Sequence, residues 1–487
     1  MTQTQFLLMI IAAIPFANCL LMKLCAESPS IISFINKFLP ILFLTNAIGL
    51  YGNLKNDRSY LVISEAIRGI SLGFAVDEIA VGFLFLLSFF WLIFIFYHHR
   101  FSQFSETKNS HDFEIFFILT VAFLNLVIIS KNLLTTLFFY NCLVLLCHFF
   151  AVKFLHKNDT KFSRFFTFLL YLESIFFFLA IVATYKFTAQ IEFVDGGIIP
   201  QNFDQTRYSL LLALYLSGLF LSVLLPCYLL YRNINLDPLV IYILFFLAYG
   251  FSGLYIFIKL LNFVFGLQGF SLIIFKIGFG FFEWIFLLNI GVASLLLALS
   301  KGLKSSFFYL FFQQFLFALF SIIFFATYSK AKIYIGLFSF LFSITLIFLC
   351  ISNFILYLNK TENKILNGIF YSLPVTSVLF IFGIFNLIGI IPAIGVVEKF
   401  FLIKIIFQKK LLLSGIILLV NLMGLGIFLW KIFYPFHRQE SQLQKNDFAK
   451  EIDFDSCLIL TALITAIAMF LGLIFFPSII NFLTVYE

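Results

Sequence analysis

Apolar stretches long enough to cross a lipid bilayer follow one another along almost the whole chain. About 20 consecutive apolar residues span the hydrocarbon core as a helix, so this pattern predicts an all-α polytopic membrane protein. The composition agrees, since 62% of the 487 residues are hydrophobic and 11% are charged, against about 25% charged in a typical soluble domain. A soluble globular protein, a nucleic-acid-binding protein and a disordered chain are therefore excluded.

The length criterion predicts about 14 transmembrane helices. Polar stretches at 52–78, 187–208 and 435–455 separate some of them, and the last, which mixes both signs of charge, is interpreted as an exposed amphipathic helix or loop. The N-terminal segment lacks a basic region, so we expect it to be the first helix rather than a cleaved signal. The predicted spans lie near residues 5–24, 31–51, 79–97, 113–130, 133–155, 164–186, 209–231, 237–260, 280–300, 305–328, 333–358, 373–392, 411–434 and 456–483.

Basic residues predict how the chain is oriented. The formal net charge is +8, and most positive side chains lie in short segments between helices, where they set orientation. The loop after the fifth span is the most basic, with Lys153, Lys157, Lys161 and Arg164, and is expected on the cytoplasmic or matrix side. Both termini then lie on the other side. A bacterial inner membrane is favoured, and a mitochondrial inner membrane remains the alternative.

The sequence carries no pattern typical of a catalytic site or a bound cofactor. The six His residues are dispersed, without HExxH or P-loop motifs, and His98 and His99 are interpreted as anchors at the membrane interface. The seven Cys are spaced as buried thiols rather than as a metal or disulfide framework. We therefore expect no metal, no cofactor and no redox chemistry in this chain itself.

Ionisable residues inside apolar spans are costly, so each is a candidate functional residue. Glu173 lies in the sixth span and Glu283 opens the ninth, while Lys37 and Lys276 lie near other span ends. For these four residues a position at a helix end, with the charged group reaching the interface, is the alternative interpretation. The adjacent pair Glu398 and Lys399 is the stronger candidate for an ion pathway, because helix-breaking residues precede it.

Those helix-breaking residues are Gly389, Pro392 and Gly395. Pro removes a backbone donor and Gly weakens the helix, so the twelfth helix is expected to be broken, as helices lining ion sites in transporters are. Pro226 is expected to break the seventh helix in the same way. Breaks about five helices apart are what two inverted five-helix repeats would produce, although residue identity does not show a repeat.

Residues 75–435 resemble the proton-conducting antiporter-like family, which comprises large membrane subunits of complex I and subunits of multisubunit cation/proton antiporters. The strongest match is 366–403. A second is 300–315, a third opens the third helix, and the eighth span keeps the shape of the family's eighth helix. The matching residues are Pro374, Gly389, Pro392, Gly395 and Lys399 in the first, Lys304, Tyr309 and Gln314 in the second, Asp77 in the third, and Pro238, Gly253, Tyr255 and Lys259 in the eighth span.

The chain departs from this family at its buried charges. Asn141 stands where the fifth helix carries a Glu, and Leu221 where the seventh carries a Lys. The position near Leu244 or Phe245 on the eighth helix and Ile344 on the eleventh are also uncharged. Losing both partners of an ion pair is tolerable, whereas losing one leaves a buried unpaired charge. The resemblance therefore implies an antiporter fold from which most of the charged relay has gone.

Three functions remain open at this point. The resemblance implies an antiporter-like membrane-arm subunit of a proton-translocating NADH:quinone oxidoreductase (complex I), structural or weakly conducting. The alternatives are a subunit of a multisubunit monovalent cation/proton antiporter and an unrelated polytopic lipid-linked glycan transporter. Expected partners are the other membrane subunits and the lipid bilayer, with no nucleic acid. The expected parts are N-terminal helices with a polar loop (1–75), an antiporter-like proton-conducting domain (76–435), and a polar loop with a C-terminal helix (436–487).

Overall fold

The chain divides into two compact units in a computed structural model of the protein. The first unit comprises Met1–Leu221 and Tyr242–Gly269, and the second comprises Ser222–Ile241 and Phe270–Glu487. The structure describes residues 3–25, 28–54, 60–67, 70–105, 110–154, 160–200, 204–224, 242–267, 269–271, 279–300, 302–328, 330–360, 373–409, 412–437 and 456–474.

Long apolar helices build the first unit. A helix satisfies its backbone hydrogen bonds within itself, which is why apolar segments of this length adopt it in a membrane. Helix α2 packs against α1 and α3, α4 packs against α1, α3 and α5, and α5 packs against α6. These helices are α1 (Gln3–Leu24), α2 (Pro29–Leu54), α3 (Glu78–Ser105), α4 (Ser110–Ile128), α5 (Leu133–Phe154), α6 (Thr160–Thr188) and α7 (Gln205–Leu224).

The last helix of the first unit changes its winding along its length. A central α-helical segment, α8 (Ser252–Leu260), lies between two π-helical segments, Tyr242–Phe251 and Leu261–Phe265. Every side chain of α8 is buried. π-helical turns inside α-helices are rare and frequently occur at functional sites. The first π-helical segment carries Tyr249, whose hydroxyl contacts a buried carboxylate described below.

An antiparallel hairpin of β1 (Tyr60–Ile67) and β2 (Ile70–Ala75) lies within the stretch 52–78, for which the sequence analysis predicted only a polar interruption. The connection between α4 and α5 pairs with β2, since the amide of Ala75 donates to Ile129 O and that of Lys131 to Gly73 O. The backbone groups just after the end of α4 thus form their hydrogen bonds with the hairpin, so they are paired although the helix does not continue.

The second unit is built around two almost wholly buried helices, α10 and α11. Helix α9 packs against α10 and α14, and α11 packs against α10, α12, α13 and α15. The helices of this unit are α9 (Phe279–Leu299), α10 (Leu303–Ala326), α11 (Lys330–Lys360), α12 (Pro374–Ile388), α13 (Gly395–Lys409), α14 (Leu412–His437) and α15 (Ser456–Ile474).

The sequence correctly predicted a break at residues 389–395. Helix α12 ends where Gly389 adopts a left-handed conformation (φ 90°), and α13 begins at Gly395 after the cis peptide bond at Pro392. The seventh helix departs from helical geometry at Phe220 (φ −137°, ψ 18°). Pro226, where the sequence predicted the break, and Pro238 lie outside the described residues.

Eleven of the helices in the described ranges are long and apolar enough to cross a membrane, and two shorter apolar helices accompany them. The protein is therefore a multi-pass integral membrane protein with an all-α architecture apart from the hairpin, as the sequence predicted. The total of about 14 spans stays a prediction, and so do the inverted repeats and the boundaries of the three parts.

Candidate functional site

Charged side chains are buried at few positions in the described helices. The buried ones are Glu173 and Lys259 in the first unit and Glu283, Glu398 and Lys399 in the second. A buried charge must be held by partners, because an unpaired one is costly in a low dielectric. The partners of each therefore define what it can do.

Lys259, in the last turn of α8, binds where α4 ends. Its Nζ lies 3.3 Å from Asp77 Oδ2 and donates to Ser130 O at 2.9 Å and to Tyr255 Oη at 3.0 Å. The Tyr255 hydroxyl donates in turn to Ile128 O. Carbonyls at a helix C-terminus carry partial negative charge, so they stabilise an ammonium. The two residues that the family resemblance singled out, Asp77 and Lys259, are thus an ion pair.

Glu173 lies midway along α6 and is fully buried. Its Oε1 accepts a hydrogen bond from the Tyr249 hydroxyl at 2.9 Å. The next residue, Ser174, donates to the side chain of Asn141 on α5, where the resemblance implies a Glu in related chains. The residue that follows this carboxylate on α6 therefore contacts the neutral amide on α5.

Glu398 and Lys399 lie in the first turn of α13, directly after the break. Lys399 Nζ is 3.3 Å from Glu398 Oε1 and 4.2 Å from the ring centroid of Phe317. The break itself is braced by Asn386, whose Oδ1 accepts from the Gly395 amide at 2.6 Å. Asn386 also donates to Ser343 Oγ and Ser339 O on α11. The broken helix thus presents a buried ion pair from a fixed backbone.

Glu283, near the start of α9, is buried and accepts a hydrogen bond from Ser414 near the start of α14. A carboxylate held by a neutral hydroxyl keeps the capacity to bind and release a proton. Within the described ranges, no hydrogen bond or ion pair joins Glu283 to Glu398 or Lys399, so Glu283 occupies a separate position rather than one cluster with them.

The other predicted residues are placed as follows. Tyr309 and Gln314 are buried on α10, and Lys304 is half-buried in its first turn. Lys37 on α2 lies over the ring of Phe96, 5.6 Å from its centroid. Lys276 lies outside the described residues. In the described part of the chain, no group of three or more His, Cys, Asp or Glu side chains is arranged to hold a metal ion.

Sequence reasoning missed Lys431, on α14. Its Nζ donates to Leu297 O at 2.6 Å and to Ser300 O at 2.5 Å, where α9 ends. Like Lys259 in the first unit, Lys431 thus donates to backbone carbonyls where another helix ends. The available signal was a lysine within an apolar helix.

Comparison with solved structures shows the fold. A chain of the membrane-bound sulfane sulfur reductase, an archaeal respiratory membrane complex, superposes with a TM-score of 0.72 at 17% identity, covering 95% of this chain and 75% of that one. A chain of the Mrp complex from Dietzia sp. gives 0.72 at 15% identity, covering 97% and 95%. One of respiratory complex I from Thermus thermophilus gives 0.68 at 13% identity, covering 96% and 99%.

No protein-family model matches the sequence, and comparison with curated proteins finds no similar sequence. The structural likeness spans nearly the whole chain, from α1 to α15, at identities too low to show more than the fold. The antiporter-like fold expected from the sequence resemblance is thereby confirmed.

Proposed function

We propose that this chain is an antiporter-like membrane-arm subunit of a proton-translocating NADH:quinone oxidoreductase, in which it is structural or weakly conducting. The observation that carries the proposal is the match of this chain, end to end, with a chain of complex I, covering 96% of one and 99% of the other. A chain that matches a whole subunit supplies a whole subunit's membrane surface, and the other membrane subunits are its partners.

A subunit of a multisubunit monovalent cation/proton antiporter is the second candidate. It is favoured by the equally complete match with a chain of the Mrp complex, which covers 97% of this chain. The two candidates share a fold and differ in the assembly, so composition of the native complex distinguishes them.

Purification of the tagged chain from its own membrane, followed by mass spectrometry of the intact complex, tests both candidates. We expect quinone-reducing subunits to co-purify in constant proportion. Small antiporter subunits in their place would establish the second candidate and overturn the first. Recovery of the chain alone under conditions that preserve other membrane complexes would overturn both.

The proposal of reduced conduction rests on which buried positions carry charge. Asn141 is hydrogen-bonded to a serine, and Ile344 is buried on α11. The remaining candidates for an ion pathway are Lys399 with Glu398, together with Glu173 and Glu283. Moving a proton across about 30 Å of hydrocarbon needs a series of titratable groups and waters. Because few titratable groups remain, weak conduction is favoured.

Lys399→Ala tests whether the residual pathway passes through the broken helix. If the chain conducts weakly, we expect this variant to lower proton translocation by membrane vesicles that contain the assembly, because Glu398 loses its ammonium partner. Lys404→Ala is the matched control, since Lys404 is exposed on the same helix. If Lys399→Ala assembles normally and translocates as the control does, Lys399 has no part in the pathway and the role is structural.

A further inference from the structure

Four polar side chains meet inside the second unit. They are Ser294 on α9, Gln313 and Gln314 on α10, and Asn421 on α14, and we call them the amide cluster. All four are buried, and Gln313 and Asn421 are fully buried. Neutral amides in this number at one level of an apolar bundle are costly unless their donors and acceptors are paired.

Most of the cluster is paired internally. Gln313 Nε2 donates to Ser294 Oγ at 3.1 Å and to the backbone oxygen of Asn421 at 3.0 Å. Gln314 Nε2 donates to Asn421 Oδ1 at 2.9 Å. These bonds tie α9, α10 and α14 together and fix the orientation of the Gln313, Gln314 and Asn421 side chains.

Two atoms of the cluster are left over. Gln313 Oε1 and Asn421 Nδ2 are buried and make no hydrogen bond with any residue in the described ranges. One is an acceptor and the other a donor, and their side chains are already held in place by the bonds just described. A ligand for this pair must therefore both donate and accept a hydrogen bond, which a bare cation or anion does not do.

The backbone of α14 lets the Gln313 carboxamide lie directly against it. Gly424 lies one turn after Asn421, and a Cβ at Gly424 would lie 2.8 Å from Gln313 Oε1 and closer still to Nε2. Any residue other than glycine would push the carboxamide out of its position. The close approach of Gln313 to α14 thus depends on Gly424.

We propose that the amide cluster binds water, held between Gln313 Oε1 and Asn421 Nδ2 within the second unit. Buried waters typically bond otherwise unsatisfied polar groups in this manner. Such a water donates a hydrogen bond to Gln313 Oε1 and accepts one from Asn421 Nδ2. Its second O–H and second lone pair are left for a further water, since neither amide gives up or takes up a proton. In so far as the chain conducts, which rests on the proposed function, a proton passes through the cluster from one water to the next.

The first test is direct. In a cryo-EM map of the native assembly at a resolution that shows ordered water, we expect density within hydrogen-bond distance of both atoms. A map in which Gln313 Oε1 and Asn421 Nδ2 are bonded to protein groups instead, or are in contact with apolar side chains alone, would overturn the water site.

The second test displaces the Gln313 carboxamide and keeps the polar groups. Gly424→Ala is expected to displace the density and reduce proton translocation by vesicles containing the assembly. Gly426→Ala is the control, since Gly426 lies on the same helix with open space around its Cβ position. In this control the water density and the proton translocation should both be unchanged. Unchanged density in Gly424→Ala would contradict the proposed location of the site.

The two tests separate this inference from the proposed function. Water density in an assembly that translocates no protons through this chain would support the site and overturn the conducting step. Conduction that is unaffected in Gly424→Ala, although the density is lost, would likewise overturn that step alone. Gln313→Leu with Asn421→Leu removes both free atoms together, and adding Gln314→Leu removes the amide that would lose its Asn421 Oδ1 acceptor. This triple variant should abolish the density without leaving an unpaired side-chain amide.

Discussion

Lys259, buried at the end of an apolar helix, is stable here because other contacts hold its partners in place. Asp77 begins α3, where its Oδ1 accepts from the Ala80 amide at 2.8 Å, while its Oδ2 lies near the Lys259 ammonium. The carboxylate therefore caps one helix and pairs with another. The ammonium adds hydrogen bonds to Ser130 and Tyr255, so the pair is held at several points.

Lys259→Met is expected to destabilise the protein by about 1–3 kcal/mol, because Ser130 O loses its donor and the partly exposed Asp77 carboxylate loses its cation. Adding Asp77→Asn should restore part of the loss, since a neutral amide needs no cation and its oxygen can still cap α3. Denaturant-induced unfolding of the purified protein in detergent measures the free energies. A double variant as unstable as the sum of the two single variants would show that the pair is not coupled.

Glu173→Gln tests the carboxylate of the first unit as a proton-transfer group. The amide keeps the volume and an acceptor for Tyr249, so folding should be retained, whereas the capacity to titrate is lost. We expect lower proton translocation by vesicles that contain the assembly. Glu192→Gln is the control, because Glu192 is an exposed carboxylate paired with Lys131. Equal rates in the two variants would remove Glu173 from the pathway.

At this scale the sequence indicates which residues are unusual but not what they touch. Glu173 and Glu283 stand out as carboxylates in apolar segments. Their partners lie 76 and 131 residues away along the chain, at Tyr249 and Ser414. Such contacts arise from the packing of helices distant in sequence, and an apolar helix face does not by itself specify its neighbour.

The break between α12 and α13 is an element whose backbone requires its sequence. Gly389→Ala is expected to destabilise the protein by about 1–2 kcal/mol, because a side chain is strained at a left-handed φ. The added Cβ would also lie 3.0 Å from Lys399 Cβ. Gly291→Ala on α9 is the control, with open space at its Cβ position, and helix propensity favours alanine there by up to about 1 kcal/mol.

Thermal unfolding of the two purified variants measures this difference. If Gly389→Ala is as stable as Gly291→Ala, the left-handed conformation at the end of α12 is not a requirement of the fold.

Elements were predictable where a local signal exists. The cluster of Gly389, Pro392 and Gly395 predicted the break, since these residues disfavour a continuous helix. The hairpin was not predicted, because its strands lie in a stretch that differs from the spans chiefly by its polar residues, and its pairing with the α4–α5 connection is tertiary. The departure of α7 from helical geometry at Phe220 has no Gly or Pro at that residue to indicate it.

Over the whole molecule, each of the two units contains a lysine that donates to carbonyls at the end of another helix. Lys259 donates to Ser130 O in the first unit, and Lys431 donates to Leu297 O and Ser300 O in the second. The inverted five-helix repeats stay a prediction, and residue identity does not reveal them because apolar side chains exchange freely at lipid-facing and packed positions. The pairing persists because helix-end carbonyls inside an apolar bundle need a donor.

The repeated arrangement predicts local and separate effects of removing each lysine. Lys431→Met should raise hydrogen–deuterium exchange of amides around the end of α9, and Lys259→Met around the end of α4, because each carbonyl group loses a donor worth about 1–3 kcal/mol. Lys404→Met, which removes an exposed lysine from α13, is the control and should leave both regions unchanged. If either variant shows an equal rise in exchange at the ends of both α4 and α9, the two lysines instead stabilise the molecule as a whole.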